Sequence, residues 1–315
     1  EVTMIIRIFL LRKFKTILGL GFFSLFLLFG SLHAQEQKDQ EFSFIVTADM
    51  REFAGPEYQN PKYFLGVCEA IRERGKGAFM ISPGDIDPPW YVRTTISKVL
   101  GKDYLWYPVV GNHEVETEKD MAYLRKYITG LPYIVNRGPK GCSETMYSFN
   151  YGNAHFVVIN EYCDGRSDIG TDGDIVDATY SWLVKDLNKN KKKYIFVFGH
   201  EPGFPFPDMD SGRLRHKTNS LNKYSGNRDR FWKLMRERGV VAYICGHTHA
   251  TSIKKIRGVV QLDAGHSRGY GDTGAPSTFV KILVKKTDCR YEIYRNEGKD
   301  GSYILRSSGS FFLLK

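Results

Sequence analysis

The sequence predicts one α/β domain over residues 42–315, with two mixed β-sheets packed face to face and helices outside. Three observations predict it. Short apolar runs alternate with amphipathic segments through the first part of the stretch. Paired β runs joined by turn residues sit in the middle and again near the end. No internal repeat and no long linker divides it.

The elements follow in order. Phe42–Thr47 (FSFIVT) is a short apolar run that reads as a buried strand, bounded by Ala48-Asp49. Tyr63, Val67 and Ile71, with Phe64 and Cys68, give helical spacing over 61–74. Ala78–Ser82 reads as a strand ending at Pro83-Gly84-Asp85, and Tyr91–Leu100 as a helix. Leu105–Val110 is a third strand, ending at Gly111-Asn112-His113-Glu114, before a helix over Glu116–Ile128. TMYSFNYG and AHFVVINEY, joined at Tyr151-Gly152-Asn153, signal a hairpin. A helix over Ala178–Asn188 and a strand over Tyr194–Phe198 follow. After a long irregular segment over 201–226 come a helix over Arg228–Arg238 and the strand Val240–Cys245. Val259–Leu262, Ser277–Val284, Tyr291–Tyr294 and Tyr303–Leu305 are further β runs, expected to complete the second sheet.

Residues 1–34 are not fold material. Arg7, Arg12, Lys13 and Lys15 precede an apolar run from Ile17 to Gly30, and Ser31–Ala34 lead into a charged stretch. This is the layout of a secretory signal peptide cut after Ala34, with a polar lead-in over 35–41. The expected location is periplasmic or secreted. The alternative is an uncleaved membrane anchor, for which the run is short. Cleavage removes four basic groups and Glu1, so the formal net charge falls from +10 to +7. That suits an anionic substrate. Lys189–Lys193 reads as a solvated helix end, and no aromatic–basic interleaving points to nucleic acid. Of five cysteines, Cys68 and Cys245 fall in buried patterns, while Cys142 and Cys163 lie in Gly/Asp-rich connections and are the expected disulfide.

The chemistry collects at strand ends. His247 and His249 follow an apolar strand and Gly246, a glycine expected to allow a sharp exit through positive φ. Alone, the HxH spacing is a weak signal, and two surface histidines in a loop would look the same. Upstream, however, four other apolar strands also end in polar clusters. These are Asp49 and Arg51, then Asp85 and Asp87, then Asn112, His113 and Glu114, then His200 and Glu201. Carboxylates, an amide and imidazoles form a ligand set suited to Fe, Mn, Zn or Mg.

In this order the clusters resemble the motifs of the calcineurin-like metallophosphoesterase superfamily, DxH, GDxx(D), GNH(D/E), GH and GHxH, spanning Asp49 to His249. The resemblance implies a four-layer αββα sandwich holding two metal ions, and the cofactor expected for this chain is one or two divalent or trivalent ions. It implies that Asp85 bridges two ions, that Asn112, His200 and His247 complete one shell, and that Asp49 and His249 serve the other. His113 matches the family's catalytic histidine, which assists the leaving group while hydroxide generated at the metals attacks a phosphate mono- or diester. Such a centre neutralises charge on both attacking and leaving oxygens. Glu114 and Asp87 are candidates to orient His113, against a purely structural role bonding backbone amides.

One position departs from the pattern. Arg51 stands where the first motif carries its second ligand, and a guanidinium has no lone pair to give. Purple acid phosphatases, which also lack that histidine, supply a tyrosine three residues after the bridging aspartate; here that residue is Pro88. Three readings stay open: a weakened first site, a one-ion site with Arg51 as electrostatic stand-in and phosphate clamp, or a non-catalytic binding or scaffold protein. The 201–226 segment carries Arg213, Arg215, His216 and Lys217 and reads as a lid over an anionic substrate or as a variable surface loop. His266 and Arg268 are further candidates to face the substrate. The acidic loop over 164–177 lacks calcium-loop spacing and reads as solvated.

Overall fold

The computed structural model describes residues 41–51, 56–272, 274–296 and 302–312. The signal peptide expected over 1–34 and the lead-in up to residue 40 lie outside them.

The first half builds successive strand–helix units. β1 (Phe42–Val46), β2 (Phe79–Pro83) and β3 (Leu105–Val109) alternate with α1 (Phe64–Arg74), α2 (Pro89–Leu100) and the pair α3 (Asn112–Val115) and α4 (Glu118–Thr129). The middle of the chain supplies β4 (Ile134–Arg137), β5 (Tyr147–Tyr151), β6 (Ala154–Val158), α5 (Asp177–Lys189) and β7 (Tyr194–Phe198). Then come α6 (Ser225–Glu237), β8 (Ala242–Cys245), β9 (Thr251–Ile256), β10 (Val259–Ala264), β11 (Thr278–Val284), β12 (Cys289–Asn296) and β13 (Tyr303–Ser310).

Among the described residues the strands form a six-stranded sheet, β13-β12-β11-β1-β2-β3, and a seven-stranded sheet, β4-β5-β6-β7-β8-β10-β9. β1, β2 and β3 run parallel, as do β6, β7, β8 and β10. Parallel pairing puts the carboxyl ends of each set on one edge, where open α/β sheets bind ligands. The two mixed sheets flanked by helices match the predicted fold class.

The late strands divide differently from expectation. Only β10 joins the second sheet, while β11, β12 and β13 extend the first. β11 pairs antiparallel with the whole of β1, from Phe42↔Val284 to Val46↔Val280. β1 is therefore an interior strand, and its fully apolar FIV run fits that position. Two strands carry no strong sequence signal. β4 is four residues long and only partly buried. β9 is an edge strand whose Lys254 and Lys255 face solvent, a pattern that discourages pairing with other chains.

The sheets meet through aromatic side chains. Phe44 stacks on Phe79 at 5.3 Å and meets Phe156 edge-on at 5.2 Å, and Tyr107 stacks on Phe149 at 3.9 Å. On the other face of the second sheet, Leu183, Phe231, Trp232 and Met235 of α5 and α6 bury against Val157, Val197 and Tyr243. Cys142 and Cys163 form the expected disulfide, joining the segments before β5 and after β6. Cys68 and Cys245 are buried thiols, as is Cys289.

Candidate metal centre

Each strand end turns sharply to aim its side chain. Asp49, Asp85, His247 and His249 all adopt positive φ, between 50° and 71°. Non-glycine residues rarely do so, and such strain gathers at functional sites. Gly246 does not supply the turn, because the positive φ falls on the histidines. Its role is close approach: a Cβ there would stand 2.5 Å from Asp49 Oδ2 and 2.9 Å from the Ala48 Cβ.

The imidazoles are set as ligands by their outer nitrogens. His200 Nδ1 donates to the Pro83 carbonyl at 2.8 Å, so its Nε2 carries the lone pair. His247 Nε2 donates to the Asn219 carbonyl at 3.0 Å, leaving the lone pair on Nδ1. His249 Nδ1 meets an acceptor, Asp272 Oδ2 at 2.6 Å, and a donor, Arg215 Nη1 at 2.7 Å, while its Nε2 lies 3.7 Å from Asp49 Oδ1. Burial lowers all three imidazole pKa values, that of His249 to about 4, so they are neutral and ligand-competent at physiological pH.

These lone pairs converge on acceptors, not on donors. His200 Nε2 lies 3.0 Å from Asn112 Oδ1 and 3.3 Å from Asp85 Oδ1, and His247 Nδ1 lies 3.1 Å from Asn112 Oδ1 and 3.2 Å from His200 Nε2. Donors that share one ion through bonds of about 2.1 Å stand about 3.0 Å apart at right angles and about 3.4 Å apart tetrahedrally. His200 stands at that spacing from Asp85, Asn112 and His247, and His247 stands at it from Asn112. Donor atoms of Asp49, Asp85 and His200 also lie within 4.8 Å of one another. Burial, then the charges of Asp85 and Asp263, raise the Asp49 carboxyl well above its usual value. Two buried carboxylates side by side call for a cation. The residues therefore fit a metal ion.

Buried carboxylates hold the strand ends in place. Glu114 accepts the backbone N–H groups of Asp85, Ile86 and Gly111 at 3.0, 2.7 and 2.6 Å. It is thus the structural carboxylate of the two alternatives. Glu161 accepts from the His200 and Glu201 N–H groups at 2.8 and 2.7 Å. Asp263 accepts the hydroxyl of Thr248, the residue between the two histidines, at 2.5 Å. Burial pushes Glu161 up to about 7 and Asp263 to about 8.

A cleft of about 140 Å³ opens above these ligands, lined by Arg51, Asp85, Asn112, His113, Arg215, His216, His247, His249 and Arg268. Asp49 and His200 stand buried behind it. His113 Nδ1 bonds Glu116 Oε2 at 3.1 Å, so Glu116 orients it, and neither Glu114 nor Asp87 does. Asp87 pairs instead with Arg51 Nε at 3.2 Å, and Arg51 Nη1 contacts His113 Nε2.

The 201–226 segment does reach the site. Arg215 and His216 line the cleft, and the His216 ring lies 4.0 Å from that of His247. Its base is fixed, because the buried Asp208 takes a bidentate pair from Arg295 at 2.7 and 3.1 Å. Two substrate-contact expectations are corrected. Arg213 does not line the cleft and pairs with Asp272 Oδ1 at 2.6 Å. His266 is fully buried, with Nε2 on the Ala275 carbonyl at 2.8 Å and Nδ1 accepting the Arg268 N–H at 3.3 Å, so it shapes the loop. The acidic loop is spent on ion pairs and turns, with Asp168 on Arg125 and Asp164 capping Arg166 and Ser167.

A sequence model of the calcineurin-like phosphoesterases matches residues 33–251, more than half of the chain. The chain belongs to the calcineurin-like phosphoesterase family. Among solved structures, PhoD superposes with a TM-score of 0.60 at 11% identity, covering 86% of this chain and 69% of PhoD. GAP50, the anchor in the inner membrane complex of Plasmodium, superposes with a TM-score of 0.53 at 14% identity, covering 86% and 89%. These likenesses concern the fold. No curated protein matches the chain. Membership in the calcineurin-like phosphoesterases accounts for the order of the strand-end clusters. Sequence reasoning missed Glu161, Asp263 and Asp272. Glu161 had a usable signal, because it closes the apolar run of β6 just as the other clusters close theirs.

Proposed function

We propose that this chain is an exported metal-dependent phosphoesterase that hydrolyses a phosphate mono- or diester. The observation that carries the reading is His200 Nε2 with donors of Asp85, Asn112 and His247 3.0–3.3 Å from it, beside a cleft lined by His113 and arginines. The bound metal supplies Lewis-acid charge neutralisation and acidifies a water. The chain does the rest. Arg215 and Arg268 line the cleft, where guanidinium groups would meet phosphate oxygens. The ester P–O bond breaks as a water oxygen joins phosphorus; that water releases one proton to solvent, and the leaving oxygen takes one from His113 Nε2, which solvent restores. Glu116 holds the opposite nitrogen of that ring. Arg51 contacts Nε2 as well, so the guanidinium and the leaving oxygen are alternative partners of that atom.

A non-catalytic scaffold needs neither His113 nor these ligands around His200, and both are present. Export rests on the N-terminal pattern, and no helix among the described residues is long and apolar enough to cross a membrane. The test is hydrolysis of aryl phosphate mono- and diesters across Mn, Zn, Fe, Co and Mg. His113→Ala is expected to slow turnover about 10²–10⁴-fold with metal content unchanged. No turnover with any metal, or no effect of His113→Ala, overturns the reading.

A further inference from the structure

We infer that the edge of the molecule opposite the metal centre is a docking surface for an anionic lipid bilayer. The inference is independent of the phosphoesterase reading, because it concerns the amino ends of the parallel strands.

Lysines from both sheets meet at that edge. α5 ends at Lys189, and Lys191, Lys192 and Lys193 lead into β7. Lys285 and Lys286 lie in the turn between β11 and β12 of the other sheet. Hydrogen bonds join the two groups. Lys193 Nζ donates to the Lys286 carbonyl at 2.7 Å, and the Tyr194 hydroxyl donates to the same carbonyl at 3.4 Å. Asn153 Nδ2 donates to the Lys285 carbonyl at 3.5 Å, and Lys192 Nζ to the Gly152 carbonyl at 2.7 Å. Carbonyls hold these ammonium groups in place without neutralising them. Lys192 is half-buried and the other five lysines are exposed.

The acidic groups nearby do not balance them. Glu41 Oε1 accepts the Lys286 N–H at 3.4 Å, and Asp288 is engaged by Arg290 at 2.6 Å. The lead-in before Glu41, outside the described residues, brings Glu36, Lys38 and Asp39. With all of these charges counted, cations exceed anions by four, an excess that one or two further carboxylates would not cancel. Nor does this charge serve the metal centre. Lys193 stands before β7 and His200 after it, roughly 20 Å apart at the rise of an extended strand.

Two features select a bilayer as the partner. β1 is entered through Glu41 at this edge, and ten residues earlier in the sequence ends the apolar run Ile17–Gly30. Cut or kept, that run is the part of the sequence suited to meet a membrane during export. Phe312 adds an apolar contact: it is 51% exposed, and its ring lies 6.1 Å from that of Tyr194, next to Lys193. Lysines around an exposed aromatic ring suit the headgroup boundary, and each lysine near an anionic leaflet adds affinity. Docked this way, the cleft at the carboxyl ends faces away from the bilayer and takes its substrate from solution.

Vesicle binding tests this. The full chain, as purified after export, is mixed with phosphatidylcholine vesicles, with and without phosphatidylglycerol, in about 0.1 M NaCl. Binding about 10-fold or more tighter to the anionic vesicles is expected, with the preference lost in about 1 M NaCl. Lys193→Gln/Lys286→Gln is expected to weaken binding to the anionic vesicles about 10-fold or more, at about 5-fold for each lysine. Lys62→Gln/Lys119→Gln, which alters exposed lysines before α1 and at the start of α4, is expected to bind as the parent does. Circular dichroism confirms that each variant is folded; if one is not, the lipid and salt dependence of the parent still decides. Overturning results are binding to neither vesicle, equal binding to both, binding indifferent to salt, parent-like affinity in folded Lys193→Gln/Lys286→Gln, or an equal loss in the Lys62/Lys119 pair. Single-stranded DNA bound more tightly than the anionic vesicles would also overturn it, by making the edge a nucleic-acid surface. Loss of ester hydrolysis contradicts the proposed function and leaves this inference intact.

Discussion

The two histidines of the GHTH turn are aimed by residues far from them in sequence. Thr248 donates to Asp263, 15 residues on, and the His249 ring is held by Asp272, 23 residues on. Sequence reading singled out six candidate ligands because each closes an apolar run, a local signal. It could not find their partners, which reach the site only when β10 and the loop after it fold back. It also could not tell Arg215, which lines the cleft, from Arg213, which does not, since both sit in one irregular run and both pair with Asp272. Asp263 gives a pH prediction. Burial raises its carboxyl from the ordinary 3.8 to about 8, so between those values the folded chain holds a proton that the unfolded chain releases. Its contribution to stability is therefore present at low pH and lost as pH rises towards about 8, by at most about 1.4 kcal/mol per pH unit. Asp263→Asn should remove that dependence. Urea unfolding of chelator-treated parent and variant at pH 5 and pH 7.5 measures it, and equal pH slopes in the two would refute the assignment.

At the scale of elements, the helices and central strands were legible because their apolar periodicity is strong. β4 and β9 were not, being short or edge strands whose burial depends on a neighbour. The loops leaving β2 and β3 are joined by Glu114, which no periodicity marks. Glu114→Ala would leave three buried N–H groups, of Asp85, Ile86 and Gly111, without their acceptor. At about 1 kcal/mol or more for each, the loss should be about 3 kcal/mol or greater. Chemical unfolding of the metal-free chain reads it, and metal affinity should fall too, since Asp85 and Asn112 lie on those loops. A loss under about 1 kcal/mol would mean that the loops hold without the carboxylate.

For the whole molecule, the parallel sets β1–β3 and β6–β8 with β10 bring their carboxyl ends together, and the ligands come from both sheets. Sequence order predicted two packed sheets but misassigned β11–β13, because a run of alternating residues does not say which sheet edge it joins. The edge beside β1 accepts β11 over five paired residues. One covalent tie also spans a long stretch. Cys142–Cys163 closes a loop across 21 residues of sequence, worth roughly 3 kcal/mol. The Cys142→Ser/Cys163→Ser pair should lose about that much in urea unfolding and keep its metal stoichiometry; a change in stoichiometry would show that the tie shapes the centre itself. The account as a whole turns on the strand ends acting together as a metal centre for phosphate esters. The most direct measurement is the hydrolysis of 4-nitrophenyl phosphate by the chelator-stripped chain before and after reloading with metal, beside His200→Ala. The account predicts no activity when stripped, recovery on reloading, and no recovery in His200→Ala. Activity that survives stripping, or that returns in His200→Ala as fully as in the parent, would contradict it.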